Sequence, residues 1–317
     1  MRVVVLGKGL MLANIVLGAL DAGAEVVGVL RYEQTSMNQF KLFFKDYFQS
    51  APEVTLLKKL GINEIRMKSV NSAAFRKLMI ALNVDLILVG TWKEKIRKET
   101  FNIPKIATVN VHPSLLPKYR GPNPYMQTIL HGEKYSGVTL HLVDENYDSG
   151  PILLQEKVEI LPDDTSKELR ERSVRVARKL VGDFISDLND KIITPIAQNE
   201  KFASYFANIS GKEKMLDFTF QTSDEICRTV KALHPFLPCY ITHNNNFFVV
   251  NPYKMSVLQV NNPNCKPNDI IAKNSKTSSL TLVCVDKKAV TFSGLELYKN
   301  RLGASKYIET QVKTIYE

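Results

Sequence analysis

The chain lacks any apolar run approaching the roughly 18 residues of a membrane-crossing helix, so nothing in it reads as a span. The start, "MRVVVLGKGLMLANIVLGAL", is broken by Gly-Lys-Gly and ends in no small-residue cleavage site. It reads as a buried strand followed by a helix, which places the protein in the cytoplasm. Cysteine is scarce: Cys227, Cys239, Cys265 and Cys284 are far apart and form no CxxC pair. That spacing supports neither a zinc site nor a redox motif, and free cytosolic thiols are expected. Acidic residues are in deficit, 32 against 42 Lys and Arg, for a net charge of +10. The excess favours an anionic partner such as a phosphate, although a merely Lys-rich surface gives the same sum. Repeats and long low-complexity segments are also missing.

What is present is a two-domain pattern, as 317 residues suggest. "RVVVL", a helical stretch ending at Gly23 and "AEVVGVL" make a βαβ opening, the signature of a parallel sheet. The stretch 31–53 interrupts with aromatic and basic residues, an insertion at the rim of a ligand crevice. Helices are expected at "TLLKKLG" and "AAFRKLMIALN", and strands at "VDLILVG", "ATVNVH" and "SGVTLHLVD", with "GPILLQEKVEI" extended after them. The longest helix covers 165–190, capped by Thr165 or Ser166 with Glu168 in its first turn. Beyond about residue 205 the pattern turns mostly β, which predicts a small barrel. The resulting division is an α/β domain over 1–190, a linker over 191–208 and a β-barrel domain over 209–317.

Gly7 and Gly9 match the first two glycines of a dinucleotide-binding fingerprint. Leu12 fills the third position, and the second strand runs into Arg31 and Tyr32 rather than an acid. A tight strand-to-helix turn accounts for these glycines without a cofactor.

"NVHPSLLPKYRGPNP" carries more. On a strand, Asn110 and His112 point to one face near its carboxyl end, where ligands bind in open parallel sheets. Asp148 follows in a polar turn, "DENYDSG". A carboxylate orients an imidazole and raises its basicity, and an amide N–H can hold an oxyanion. Together the three suit acyl transfer without a protein nucleophile. Singly, each has an ordinary explanation: Asn at a strand end, His before Pro, Asp in a turn. Ser114 lacks a nucleophile elbow and reads as a loop hydrogen-bonder. His141 alternates with leucines and reads as structural, and His131 sits at a helix C-terminus.

Taken together, "NVHPSLLPKYRGPNPY" and "GVTLHLVDENYDSGPILLQ" resemble the signature of formyltransferases that use 10-formyltetrahydrofolate. The resemblance implies a Rossmann-like domain with Asn110, His112 and Asp148 as the catalytic set. It implies a folate crevice at Val89, Gly90, Thr91 and Trp92, with Ser114, Leu115, Leu116 and Asp144 beside it, and no metal. "ASYFANISGKEKMLDFTFQTSDEICRTVKALHPFLPCYIT" is similar to the start of the C-terminal domain of methionyl-tRNA formyltransferases, which implies an OB-like barrel and initiator methionyl-tRNA as partner. The acceptor would then meet Lys41, Lys45, Lys118, Arg120, Lys212, Lys214, Arg228 and Lys231. The 31–53 insertion is richer in Phe and Tyr than that family's basic loop, with only Arg31, Lys41 and Lys45. Sugar-nucleotide N-formyltransferases share the catalytic pattern and supply the alternative acceptor, a sugar amine. A catalytically silent tRNA- or nucleotide-binding protein is a third reading.

Overall fold

The computed structural model describes residues 1–298 except 39, 43–45, 47–50, 191–192, 210–213 and 245. The chain divides into two compact units. The first comprises Met1–Pro124, Tyr135–Glu159 and Arg170–Phe206; the second comprises Tyr125–Lys134, Ile160–Leu169 and the chain from Ala207 onward.

The first unit is built on a six-stranded sheet. Its strands are β1 (Arg2–Gly7), β2 (Glu25–Arg31), β3 (Leu86–Gly90), β4 (Ala107–His112), β5 (Tyr135–Leu142) and β6 (Ile152–Glu159). They lie in the order β2-β1-β3-β4-β5-β6. Strands β1 to β4 pair in parallel, as the opening pattern predicts. The β4–β5 and β5–β6 pairs are antiparallel, so the sheet is mixed. The nine residues between β5 and β6 cannot make the crossover of a dozen or so that a parallel partner requires.

The central strands are covered on both faces, which is why they read as unbroken apolar runs. On one face Val4, Leu6, Ile87 and Val89 pack with Phe75 and Met79 of α3 (Ala73–Ala81). On the other lies α1 (Gly9–Asp21), whose Ile15 and Met11 side chains reach Gly90. The glycines after β1 have local causes. A Cβ on Gly7 would stand 2.3 Å from the Gly90 carbonyl oxygen, so close approach of β3 demands glycine there. Gly9, the first residue of α1, gives its N–H to the buried Glu53 carboxylate at 3.1 Å. Glu53 stands at the start of α2 (Pro52–Leu60). The helix terminus is thus capped by the chain's own anion.

Arg31, at the end of β2, is among the most deeply buried side chains, 1% exposed. It pairs with Asp46 at 2.9 and 2.6 Å and with Glu64 at 2.5 and 3.2 Å. Burial would lower its pKa, but the hydrogen bonds and charges of the two carboxylates raise it. This arginine ties Asp46 and Glu64 to the end of β2 and offers nothing to a phosphate.

The second unit holds a four-stranded antiparallel sheet, β10-β11-β12-β9, and a three-stranded one, β13-β8-β7. The strands are β7 (Tyr240–His243), β8 (Asn246–Val249), β9 (Met255–Gln259), β10 (Ile270–Asn274), β11 (Ser279–Val283), β12 (Lys288–Phe292) and β13 (Glu296–Leu297). Its core joins Phe218, Ile226, Val230, Leu282, Val290 and Phe292. Helix α5 (Ser223–Leu233) contributes Ile226 and Val230 and opens on a capping box between Thr222 and Glu225. The arrangement is that of a small barrel-like unit. The long helix, α4 (Ser166–Asp190), starts where Thr165 and Glu168 hydrogen-bond, as their spacing foretells. Among the described residues no helix is long and apolar enough to cross a membrane.

Candidate active site

Strand alternation places Asn110 and His112 on one face of β4, with buried Val111 between them on the other. The β5–β6 connection turns back to meet them. The turn is sharp: a Cβ on Gly150 would lie 1.9 Å from the Leu142 carbonyl oxygen, so only glycine fits after Asp148-Ser149. Asp148 itself has φ 56°, as do Thr91 and Tyr119 near 60°, in the left-handed region that side chains avoid. Three strained positions in one small region mark a site that surrounding contacts hold in place.

Asp148 Oδ1 accepts from Asn110 Nδ2 at 3.2 Å and lies 3.5 Å from His112 Nδ1. Its Oδ2 accepts from the Gly121 N–H at 2.9 Å. Asn110, His112 and Asp148 therefore form one cluster. His112 Nε2 lies 2.9 Å from the Tyr119 carbonyl, which can only accept, so that nitrogen carries a proton. The remaining nitrogen faces the carboxylate.

His141 is the member that the sequence reading set aside as structural. It pairs in register with Asn110, and its Nε2 lies 3.0 Å from Asn110 Nδ2 and 3.7 Å from Asp148 Oδ1. Its Nδ1 donates to the Leu142 carbonyl at 2.8 Å, leaving Nε2 to accept from the Asn110 amide. Both amide hydrogens of Asn110 are thus engaged, one by Asp148 and one by His141.

Burial pushes His112 below the usual imidazole value, although Asp148 and the Tyr119 carbonyl act to raise it and His141 adds to the lowering. Burial alone would raise the Asp148 carboxyl. The two neighbouring imidazoles, His112 before His141, and the Gly121 N–H outweigh it and hold the carboxyl well below the ordinary range.

Beside the cluster opens a shallow cleft lined by the apolar Val89, Trp92, Ile96 and Val143 and by the polar Glu94, Lys95, Asp144, Asn146 and Tyr147, with Asn110, His141 and Asp148. The Trp92 indole N–H is buried, with no hydrogen-bond partner among the described residues. A cleft of mixed lining, with an aromatic ring and aliphatic side chains among polar groups, suits a flat heteroaromatic ligand with polar edges. Of the expected folate residues, Val89, Trp92 and Asp144 line this cleft. Gly90 packs on α1, and Thr91 is exposed next to Trp92. Ser114 and Leu116 are buried, Ser114 giving its hydroxyl to the Lys118 carbonyl at 2.8 Å, and Leu115 packs on Gly137. These three support the loop and do not line the cleft.

The expected acceptor-binding residues have different surroundings. Lys41 and Lys118 are exposed and Lys214 is partly so. Lys45 and Lys212 lie outside the described residues. Arg120, an expected acceptor contact, has its guanidinium on Glu200 at 2.9 and 2.7 Å and on Gln198 at 3.1 and 2.8 Å. In the second unit, Lys231 bonds the Pro162 carbonyl at 2.7 Å and Arg228 reaches the Leu130 carbonyl at 3.4 Å. Among the described residues no group of three His, Cys, Asp or Glu could hold a metal ion.

Comparison with known proteins fits this geometry. The sequence matches the formyl transferase family over residues 1–184. It is 30% identical over 184 residues to the methionyl-tRNA formyltransferase of Kosmotoga olearia, covering 58% of this chain and 59% of that protein. To the Halothermothrix orenii methionyl-tRNA formyltransferase it is 26% identical over 261 residues, 81% of each. A Helicobacter canadensis N-formyltransferase, solved with folinic acid and dTDP-3-aminofucose, superposes with a TM-score of 0.62 at 18% identity. That match covers 94% of this chain and all of the other, and at such identity it speaks to fold alone.

Proposed function

The chain belongs to the formyl transferase family, and on that premise we propose that it transfers a formyl group from 10-formyltetrahydrofolate to a primary amine, the amino group of methionyl-tRNA. The carrying observation is the Asn110–His112–Asp148 cluster, with an ionised carboxylate between an amide and an imidazole. None of its members is a nucleophile of the Ser or Cys kind, which suits direct attack by the acceptor amine.

The folate supplies an activated formyl carbon, and the Trp92 cleft is the place for its ring system. The chain's own residues then have three tasks. Asn110 offers polarised, oriented N–H bonds to the oxygen on which negative charge gathers. To do so it gives up one of its two present acceptors, Asp148 or His141. His112, through Asp148, takes up the proton that the amine gives up as its C–N bond to the formyl carbon forms, and returns it to the departing folate nitrogen as that nitrogen's bond to the formyl carbon breaks. The resulting imidazolium has an acceptor on each nitrogen, the Tyr119 carbonyl and the Asp148 carboxylate. Burial keeps water away from this proton store, since His112 is only 5% exposed.

The barrel-like second unit and the net charge of +10 support an RNA acceptor. One observation favours a sugar-nucleotide amine instead: Arg31, counted among the few basic residues of the insertion, is buried in ion pairs. Incubation with 10-formyltetrahydrofolate and either methionyl-tRNA or an aminosugar nucleotide tests both. Formylated methionine on the tRNA is the expected product. Formylation of the sugar alone would reassign the acceptor, and transfer to neither would remove the proposal.

A further inference from the structure

Residues 196–206 run back along the two loops that shape the site. Ile196 exchanges backbone hydrogen bonds with Ile152 at 2.8 Å each. Ser204 accepts the Tyr119 N–H on its hydroxyl at 2.9 Å and the Arg120 N–H on its carbonyl at 2.9 Å. Phe206 gives its N–H to the Arg120 carbonyl at 3.0 Å, and its ring stacks on Tyr119 at 5.1 Å.

Within this strap Gln198 has all of its amide capacity in use. Its nitrogen donates to the Asp148 carbonyl at 2.9 Å and to the Gly150 carbonyl at 2.8 Å. Its oxygen accepts from Arg120 Nε at 3.1 Å and Nη2 at 2.8 Å. The two sides of one amide thereby join the two catalytic loops. On the nitrogen side is the left-handed turn that carries Asp148. On the oxygen side, Arg120 stands between Tyr119, whose carbonyl holds His112, and Gly121, whose N–H holds Asp148. We propose that Gln198 is a positioning residue for formyl transfer, its amide setting the turn that aims the Asp148 carboxylate at Asn110 and His112. A turn in the left-handed region persists only where its neighbours hold it, and Gln198 supplies two of those ties. A displacement of about 1 Å at the reacting groups costs on the order of a hundredfold in rate.

The inference rests on the formyl-transfer reading, and two variants separate the two. Gln198→Glu keeps an acceptor for Arg120 but loses both donors; Gln198→Met loses everything. If Gln198 positions Asp148, both variants lose about tenfold or more in kcat with methionyl-tRNA, while tetrahydrofolate affinity stays within about threefold. If Gln198 only fastens the strap through Arg120, Gln198→Glu keeps the parental kcat, and the inference is overturned. Should Gln198→Met fail to fold, Gln198→Glu alone decides. Should the unaltered protein show no transfer to methionyl-tRNA, the acceptor reading fails by itself. The ring-nitrogen NMR signals of His112 then carry the test: a shift in Gln198→Glu supports positioning, and unchanged signals refute it.

Discussion

Asn110 and His141 face each other across the β4–β5 register, amide nitrogen to Nε2 at 3.0 Å, and this contact orients the amide beside the cleft. Replacing His141 with Phe keeps a ring in the strand but removes the acceptor. One net hydrogen bond is worth roughly 1 kcal/mol, and a polar group left unsatisfied costs more. The expected result is a fall in kcat of about tenfold with the fold retained, read by steady-state kinetics alongside circular dichroism. Full turnover in His141→Phe would leave Asp148 as the sole orienting partner of Asn110.

The Asp148→Asn variant tests the electrostatics. In the folded protein burial lowers His112 from its ordinary 6.5 while Asp148 opposes that shift. A lowered imidazole contributes stability that is present above pH 6.5 and is lost as pH falls from there towards the folded value. Without the carboxylate the folded value drops further, because the charge that opposes the effect of burial is gone. The acid limb of the pH–rate profile should therefore move to lower pH, on top of a rate loss of about 10²-fold or more. An unmoved limb, or one displaced to higher pH, would show that His112 does not sense Asp148.

Trp92 is the single tryptophan of the sequence, so intrinsic fluorescence reports on the cleft directly. Tetrahydrofolate should change that emission saturably. At a hundredfold excess over Kd it should stabilise the protein by about 2.7 kcal/mol, a rise of a few degrees in Tm. Trp92→Phe should bind several-fold more weakly in calorimetry, having lost its buried N–H donor. Equal affinity in that variant would mean that the indole N–H meets no ligand atom.

Salt discriminates between the acceptors. An RNA held by several Lys and Arg contacts loses affinity steeply as counterions return, with a logarithmic slope near 0.7 to 0.9 per phosphate contact. A sugar nucleotide with its diphosphate responds far less. The KM for methionyl-tRNA should climb at least tenfold between low and physiological ionic strength, a consequence of about four or more such contacts. A flat profile would count against an RNA acceptor.

Much of the site was legible because it is local. Alternation on β4 puts Asn110 and His112 on one face, and "DSG" marks a tight polar turn. The unread parts depend on pairings distant along the chain. His141 looked like one polar residue among leucines until β5 lay antiparallel to β4 and set it opposite Asn110. The nine-residue connection before β6 did hold a clue to that antiparallel pairing, since it is too short for a crossover. Arg31 and Arg120 read as free charges because their carboxylate partners, Glu64 and Glu200, lie 33 and 80 residues away. No periodicity or composition reports such a bond. The strand content of the second unit was clear from its alternation, but β10, exposed along its whole length, carries no burial pattern to betray it.

Glu53 bears on the direction from which an anionic acceptor can approach. A helix N-terminus at the carboxyl end of a strand is a natural berth for phosphate. In this chain the first amide of α1 is already taken by an internal carboxylate. A phosphorylated acceptor arriving over β1 would find that N–H already bonded from within, where other α/β proteins present it bare.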